Sequence, residues 1–204
     1  MPEREVTRRG FLGSGLVTGA TLNLGEAAGQ GEGRKTLLAV EAHMDDVEWG
    51  AGGTLFKAVA AGYRVVIVQA VSDYTNWPPT QGREKTVEEG VARIAKEMGV
   101  EKIYLGYKYH HVPADNDIKC RIAEIAAEVE PDIALVQADA DHWTDHANIA
   151  RAGKDGILFA HGYLGKQVKR PSRILAVHTG QTRPMTSARI RSWIPRMSSI
   201  ARPG

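Results

Sequence analysis

Five short runs of apolar and β-branched residues recur along the chain, and helix-type segments separate them. The runs are 36–40, 64–71, 101–106, 133–137 and 173–178. Residues 64–71, Arg-Val-Val-Ile-Val-Gln-Ala-Val, are almost continuously apolar, as a strand covered on both faces must be. The intervening segments 55–61, 83–98, 118–129 and 147–164 read as helices. In the second, Val87, Val91, Ile94, Ala95 and Met98 recur at helical spacing; in the third, Ile118, Ile122, Ile125, Ala126 and Val129 do. Gly62 and Gly99 stand where helix C-termini favour glycine. Regular strand–helix alternation predicts an α/β fold, a three-layer α/β/α arrangement on a mainly parallel sheet with right-handed crossovers.

Two of the strand-to-helix junctions carry polar clusters, and such junctions are where α/β sheets place their chemistry. The first run leads into Glu41-Ala42-His43-Met44-Asp45-Asp46-Val47-Glu48, followed by Gly52-Gly53. One imidazole beside two carboxylates is a donor set for a cation such as zinc. The glycine pair is expected to let the backbone approach closely at the helix start. The fourth run leads into Asp139-Ala140-Asp141-His142-Trp143-Thr144-Asp145-His146, about 100 residues later. Two further loops leave the same ends of their strands. In Ser72 to Gly82, Asp73 and Trp77 are candidate substrate contacts. In Tyr107 to Pro113, His110 and His111 are adjacent, so at most one can face the site.

The 204 residues suit one domain, and a hydrophobic content of 43% with 25% charged residues is globular. A net charge of +2 gives no nucleic-acid signal, and no apolar run has the ~20 residues of a membrane span. With Cys120 as the single cysteine, no disulfide can form within the chain. The ends differ from the middle. Residues 1–34 carry Arg8-Arg9, an apolar stretch over 11–24 and small residues at 27–29, which resembles a twin-arginine signal peptide with a linker. Export to the periplasm or beyond is the expectation, with a cytoplasmic protein as the alternative. After Asp155 there is no acidic residue while nine Lys and Arg follow, so 181–204 reads as an atypical basic tail. The domain proper is expected over 35–180.

The first cluster, His-x-Asp-Asp-x-Glu-x-Gly-x-Gly-Gly-Thr, resembles the opening A-H-P-D-D signature of the LmbE-like/PIG-L N-acetylglucosaminyl deacetylases, with Met44 in place of the proline. Asp145-His146 resembles the end of that family's H-x-D-H signature. Trp143 stands where its first histidine belongs, and His142 matches only if the loop bulges by one residue. The segment from Arg83 with Glu88-Glu89 loosely resembles the family's second conserved region, which adds Arg83 as a substrate-binding candidate. The resemblance implies a Rossmann-like fold and Zn2+, or another divalent metal, held by His43, Asp46 and His146. It further implies Asp45 as general base, and His142, oriented by Asp145, as the donor to the oxyanion. The implied substrate is a small N-acyl (commonly acetyl) amino sugar or glycoconjugate, with homo-oligomerisation left open. A metal- or sugar-binding protein of the same fold that has lost catalysis is the alternative, favoured by Met44, Trp143 and the tail. A nucleotide-binding Rossmann domain is disfavoured because the first turn lacks G-x-G-x-x-G.

Overall fold

The five runs form strands β1 (Thr36–Glu41), β2 (Arg64–Asp73), β3 (Glu101–Lys108), β4 (Ile133–Gln137) and β5 (Arg173–Val177), in a computed structural model that describes residues 33–139 and 141–179. The basic tail expected over 181–204 lies outside the described residues, as does the signal segment and linker expected over 1–34 except for Gly33 and Arg34. All strand pairs are parallel, in the order β3-β2-β1-β4-β5. The helices are α1 (Asp46–Ala60), α2 (Glu84–Met98), α3 (Asn116–Val129), α4 (Thr144–Leu158) and α5 (Ala160–Leu164).

The central strands β2, β1 and β4 are buried on both faces, which explains their apolar runs, whereas the edge strands β3 and β5 are only partly covered. Along β1, Leu37 and Ala39 pack with Leu55 and Ala58 of α1 and with Ala95 and Met98 of α2. Leu38 and Val40 point the other way, onto Ile118, Ile122 and Ile125 of α3 and Ile149 and Ala152 of α4. Each Leu, Ile, Val or Met side chain among them, taken fully out of water, contributes about 1.5–3 kcal/mol. The chain is therefore wound in both directions from β1. β2 lies on one side of it and β4 on the other, so the crevice where the winding reverses opens between the loops after β1 and β4.

Four local expectations are corrected. α1 begins at Asp46, inside the first cluster, rather than at 55, because Asp46 and Glu48 in its first turn suit the positive end of a helix. Segment 147–164 is two helices, α4 starting three residues earlier and ending before Phe159. Ile94 is not part of the buried stripe of α2 but 48% exposed. The close-approach glycine is Gly50, not Gly52 or Gly53. A Cβ on either of the latter would touch nothing, whereas one on Gly50 would lie 2.5 Å from Val177 Cγ1 and 2.7 Å from the His178 carbonyl oxygen. Gly50 thus lets α1 lie against the end of β5. Gly99, at φ +71°, closes α2 in the left-handed conformation, as expected.

Candidate metal centre

The loop after β1 is tied down at nearly every backbone group. The Ala42 N–H donates to Gln137 Oε1 of β4 at 3.0 Å, and the Ala42 carbonyl accepts from Val71 of β2 at 2.8 Å. The Met44 N–H donates to the Tyr74 hydroxyl at 3.0 Å, and Val47 N–H to Glu41 Oε2 at 2.9 Å. Beneath the loop lies a buried ionic group. Lys102 of β3, with its side chain 3% exposed, pairs with Glu41 at 2.8 Å and Glu48 at 2.7 Å. The same ammonium donates to the Met44 carbonyl at 3.0 Å and to Gln69 Oε1 at 3.2 Å. Burial pushes the Glu41 carboxyl well up, with Lys102 opposing. Burial also works against the Lys102 charge, but the two carboxylates outweigh it and raise that ammonium.

On this base, three side chains converge. Asp46 Oδ2 accepts from the His43 backbone N–H at 2.8 Å, which folds the carboxylate back over the loop. His43 Nδ1 and His146 Nε2 face each other at 3.0 Å, and Asp46 oxygens lie 3.4 Å from the first and 3.3 Å from the second. One donor atom from each of the three residues falls within 4.8 Å of the others, and all three residues are buried. The far side of each imidazole meets a carboxylate: His43 Nε2 is 3.1 Å from Asp145 Oδ2, and His146 Nδ1 is 2.7 Å from Asp141 Oδ2.

That backing tests whether a metal fits. A ring nitrogen against a carboxylate carries the proton, so the opposite nitrogen presents a lone pair. Two neutral imidazoles oriented this way aim lone pairs at each other across 3.0 Å, with the Asp46 carboxylate alongside. Such an arrangement is favourable only around a positive charge, and a carboxylate behind each ligating imidazole is the usual support of a metal site. The donor set of two nitrogens and one oxygen suits zinc and similar divalent ions. Without a metal, a proton takes that role. Burial opposes the charge, but Asp145 and Asp46 hold His43 up to about 9, and Asp46 and Asp141 likewise raise His146. Despite burial, these hydrogen bonds keep Asp46, Asp141 and Asp145 below the usual carboxylate range.

The converging groups open onto a cavity of about 370 Å³. Its floor is His43, Asp45, Asp46 and His146, and Trp49, Tyr74, Trp77, Tyr109 and Trp143 supply most of its walls. Asp45, at the N-cap of α1, makes no side-chain capping bond and faces this space. Burial and the neighbouring Asp46 raise its carboxyl.

The remaining expected site residues divide. Trp77 lines the cavity, but Asp73 and Arg83 do not. Asp73 Oδ1 is engaged locally by the Thr75 N–H at 2.9 Å and its hydroxyl at 2.6 Å, while Arg83 donates to the Pro79 carbonyl on the exposed surface. His142 is also displaced: its side chain is 67% exposed and lies against Asp141, not Asp145. Asp145 instead points to the interior. Besides His43, it accepts from the backbone N–H groups of His110 at 2.8 Å and Val112 at 3.2 Å. No one-residue bulge carries His142 inward, because Trp143 occupies the inner position and lines the cavity. His110 and His111 are both exposed, and the His110 ring stacks on Trp143 at 5.4 Å. Sequence reasoning missed Asp141, Lys102 and Tyr109. Only Asp141 carried a local signal, in the acidic alternation Asp139-x-Asp141 leaving β4.

A family profile described as GlcNAc-PI de-N-acetylase, PIG-L, matches residues 38–181, more than half of the chain. No curated protein sequence matches significantly. Among solved structures, a conserved protein from Thermus thermophilus superposes with a TM-score of 0.64 at 22% identity, covering 74% of this chain and 68% of that one. The N,N'-diacetylchitobiose deacetylase from Pyrococcus horikoshii gives 0.62 at 20% identity, covering 70% and 60%. The 4-carboxy-2-hydroxymuconate hydratase from Pseudomonas putida KT2440 gives 0.60 at 22%, covering 70% and 65%. The chain spans about two thirds of the length of these proteins or less, and at such identities the likeness is one of fold.

Proposed function

The chain belongs to the PIG-L family, and from that premise we propose that it is a metal-dependent hydrolase that removes an N-acyl group, acetyl in the first instance, from an amino sugar or glycoconjugate. The observation that carries this reading is the pairing of two functions on one cavity floor. His43, Asp46 and His146 form a carboxylate-backed donor set, and the carboxylate of Asp45, which has no hydrogen-bond partner among the described residues, lies beside it.

A divalent cation held by those three residues supplies Lewis acidity, acidifying water and polarising an amide carbonyl. Asp45 takes the proton of the attacking water and passes it to the departing amine. Beside a dication that carboxylate stays ionised at neutral pH, as a base must. Asp141 and Asp145 fix the tautomers of the two imidazoles. The aromatic walls offer flat apolar faces to the C–H face of a sugar ring.

The test measures metal content and amine release together. The zinc-loaded chain is assayed for free amine from N-acetylglucosamine-type substrates, with Asp45→Ala beside it. Zinc near one per chain, with release that falls by about 100- to 10,000-fold in the variant, supports the hydrolase and its base. Stoichiometric zinc without release supports the second reading, a metal- or sugar-binding protein without turnover. That reading is favoured by the outward position of His142 and by Trp143 in the histidine's place.

A further inference from the structure

We propose that the phenol of Tyr109 is the hydrogen-bond donor that holds the oxyanion in this site, a task for which the second cluster offers no histidine. The inference rests on the hydrolase reading. When water adds to the amide carbon, the C=O π pair moves onto oxygen and Asp45 takes the water proton. The oxyanion then needs a fixed donor until it collapses, re-forming C=O and breaking C–N as the proton on Asp45 passes to nitrogen. Tyr109 keeps its own proton throughout and only donates a hydrogen bond.

Elimination narrows the donor. Three residues before His146 stands Trp143, and His142 is two-thirds exposed. Among the described residues no Lys or Arg lines the cavity, and His110 does not line it either. Three hydroxyl groups do. Thr179 donates to Asp141 Oδ2 at 3.3 Å. The Tyr74 oxygen accepts the Met44 N–H, which leaves its O–H proton unused but ties that phenol to the loop backbone, whereas it is the Tyr109 ring that packs against the ligand His43. Among the described residues the Tyr109 hydroxyl has no protein partner. A phenol remains protonated at neutral pH and so is available as a donor.

Its placement is also fixed, which is what makes a donor effective in a transition state. Tyr109 is only 8% exposed, and its ring sits 5.1 Å from that of His43 and 5.3 Å from that of Trp77. Its N–H donates to the Asp73 carbonyl at 3.0 Å, and its carbonyl accepts from Asn76 Nδ2 at 2.8 Å. The next residue, His110, is left-handed at φ +63°, an uncommon conformation for a non-glycine residue. That turn aims the His110 N–H at Asp145 Oδ2, the same oxygen that meets His43. Tyr109 and the ligand His43 are thereby held through one shared carboxylate.

The experiment is Tyr109→Phe in the zinc-loaded full chain, with Tyr109→His as a variant that restores a donor. Amine release gives kcat and KM. Calorimetric titration gives affinity for a tetrahedral methylphosphonamidate of glucosamine and for glucosamine itself. The expected result is a 100- to 1000-fold fall in kcat with KM within about threefold. Affinity for the phosphonamidate should fall at least about tenfold with that for glucosamine unchanged, and Tyr109→His should recover part of each loss. Unaltered kcat and unaltered phosphonamidate affinity in Tyr109→Phe overturn the proposal. If the unmodified chain releases no amine yet binds the phosphonamidate in a Tyr109-dependent way, turnover is refuted and the donor role stands. If it neither releases amine nor binds the analogue, both are refuted. Equal zinc content and thermal midpoint in the variants exclude a folding defect.

Discussion

The loops after β1 and β4 build one centre but are held by different means. The first supplies two of the three converging residues within four positions, His43 and Asp46, and is anchored from below by Lys102 with the buried Glu41 and the partly buried Glu48. The second supplies His146 and the two backing carboxylates, one facing its own imidazole and one reaching across to His43. The first is a rigid platform set by a buried ion group. The second is a clamp whose acids determine which nitrogen each imidazole presents. The first is therefore vulnerable through stability and the second through metal affinity.

Removing the platform's cation should have the largest effect. Lys102→Met leaves the buried Glu41 and the partly buried Glu48 without their ammonium and should cost about 3–5 kcal/mol of stability, because an uncompensated buried charge remains. Denaturant unfolding measures it. A loss below about 1 kcal/mol would mean that Glu41 is neutral in the fold and that the loop stands without the ion group.

The clamp should respond otherwise. Asp141→Asn and Asp145→Asn should each weaken zinc binding by about 10- to 100-fold while leaving the fold largely intact, since each removes the acceptor that fixes one imidazole tautomer. Competition with a chelator reads the affinity directly. The comparison sharpens if Asp145→Asn also lowers kcat more than Asp141→Asn, because Asp145 additionally holds the turn that carries Tyr109. Equal, negligible losses would show that the backing carboxylates are dispensable.

This difference in wiring also explains what could be read from the sequence. The strands were legible to within a few residues because a parallel sheet buried on both faces leaves uninterrupted apolar runs, as in Val65 to Val68. The first cluster was legible because its partners are neighbours in the chain. The second was only half legible. His146 and Asp145 could be found, but which histidine Asp145 faces depends on packing between residues 102 positions apart. Asp73 and Arg83 looked free in sequence, yet a Thr75 hydroxyl and a Pro79 carbonyl engage them locally. Lys102 and Tyr109 come from β3 and the loop beyond it, which sheet order places across β2 from β1, so their approach to the site is set by tertiary packing rather than by neighbours in the chain.

A smaller effect should appear with pH. In the metal-free protein His43 is held up to about 9 against an ordinary 6.5, so the folded state binds its proton more tightly. That contribution is fully present below pH 6.5 and is lost as the pH rises through 9. Zinc must displace the same proton, so its affinity rises over the same window. Thermal melts with and without chelator should therefore diverge as the pH rises, at about 2–4 °C per kcal/mol for a domain of this size. Parallel curves would mean that His43 is already neutral in the metal-free centre.

The smallest effect belongs to His142. Its imidazole is two-thirds exposed and leans on Asp141 at 3.6 Å, a contact that solvent screens. His142→Ala should leave zinc affinity and kcat within about twofold, as for surface substitutions generally. The same change at His146 deletes a converging nitrogen and should abolish stoichiometric zinc. Placing the two variants side by side sets two histidines of one cluster, in opposite surroundings, against each other. A tenfold or greater fall in kcat for His142→Ala, with zinc retained, would mean that the loop after β4 turns inward when substrate binds. The oxyanion donor would then be His142 rather than Tyr109, and the clamp would be a moving part rather than a fixed one.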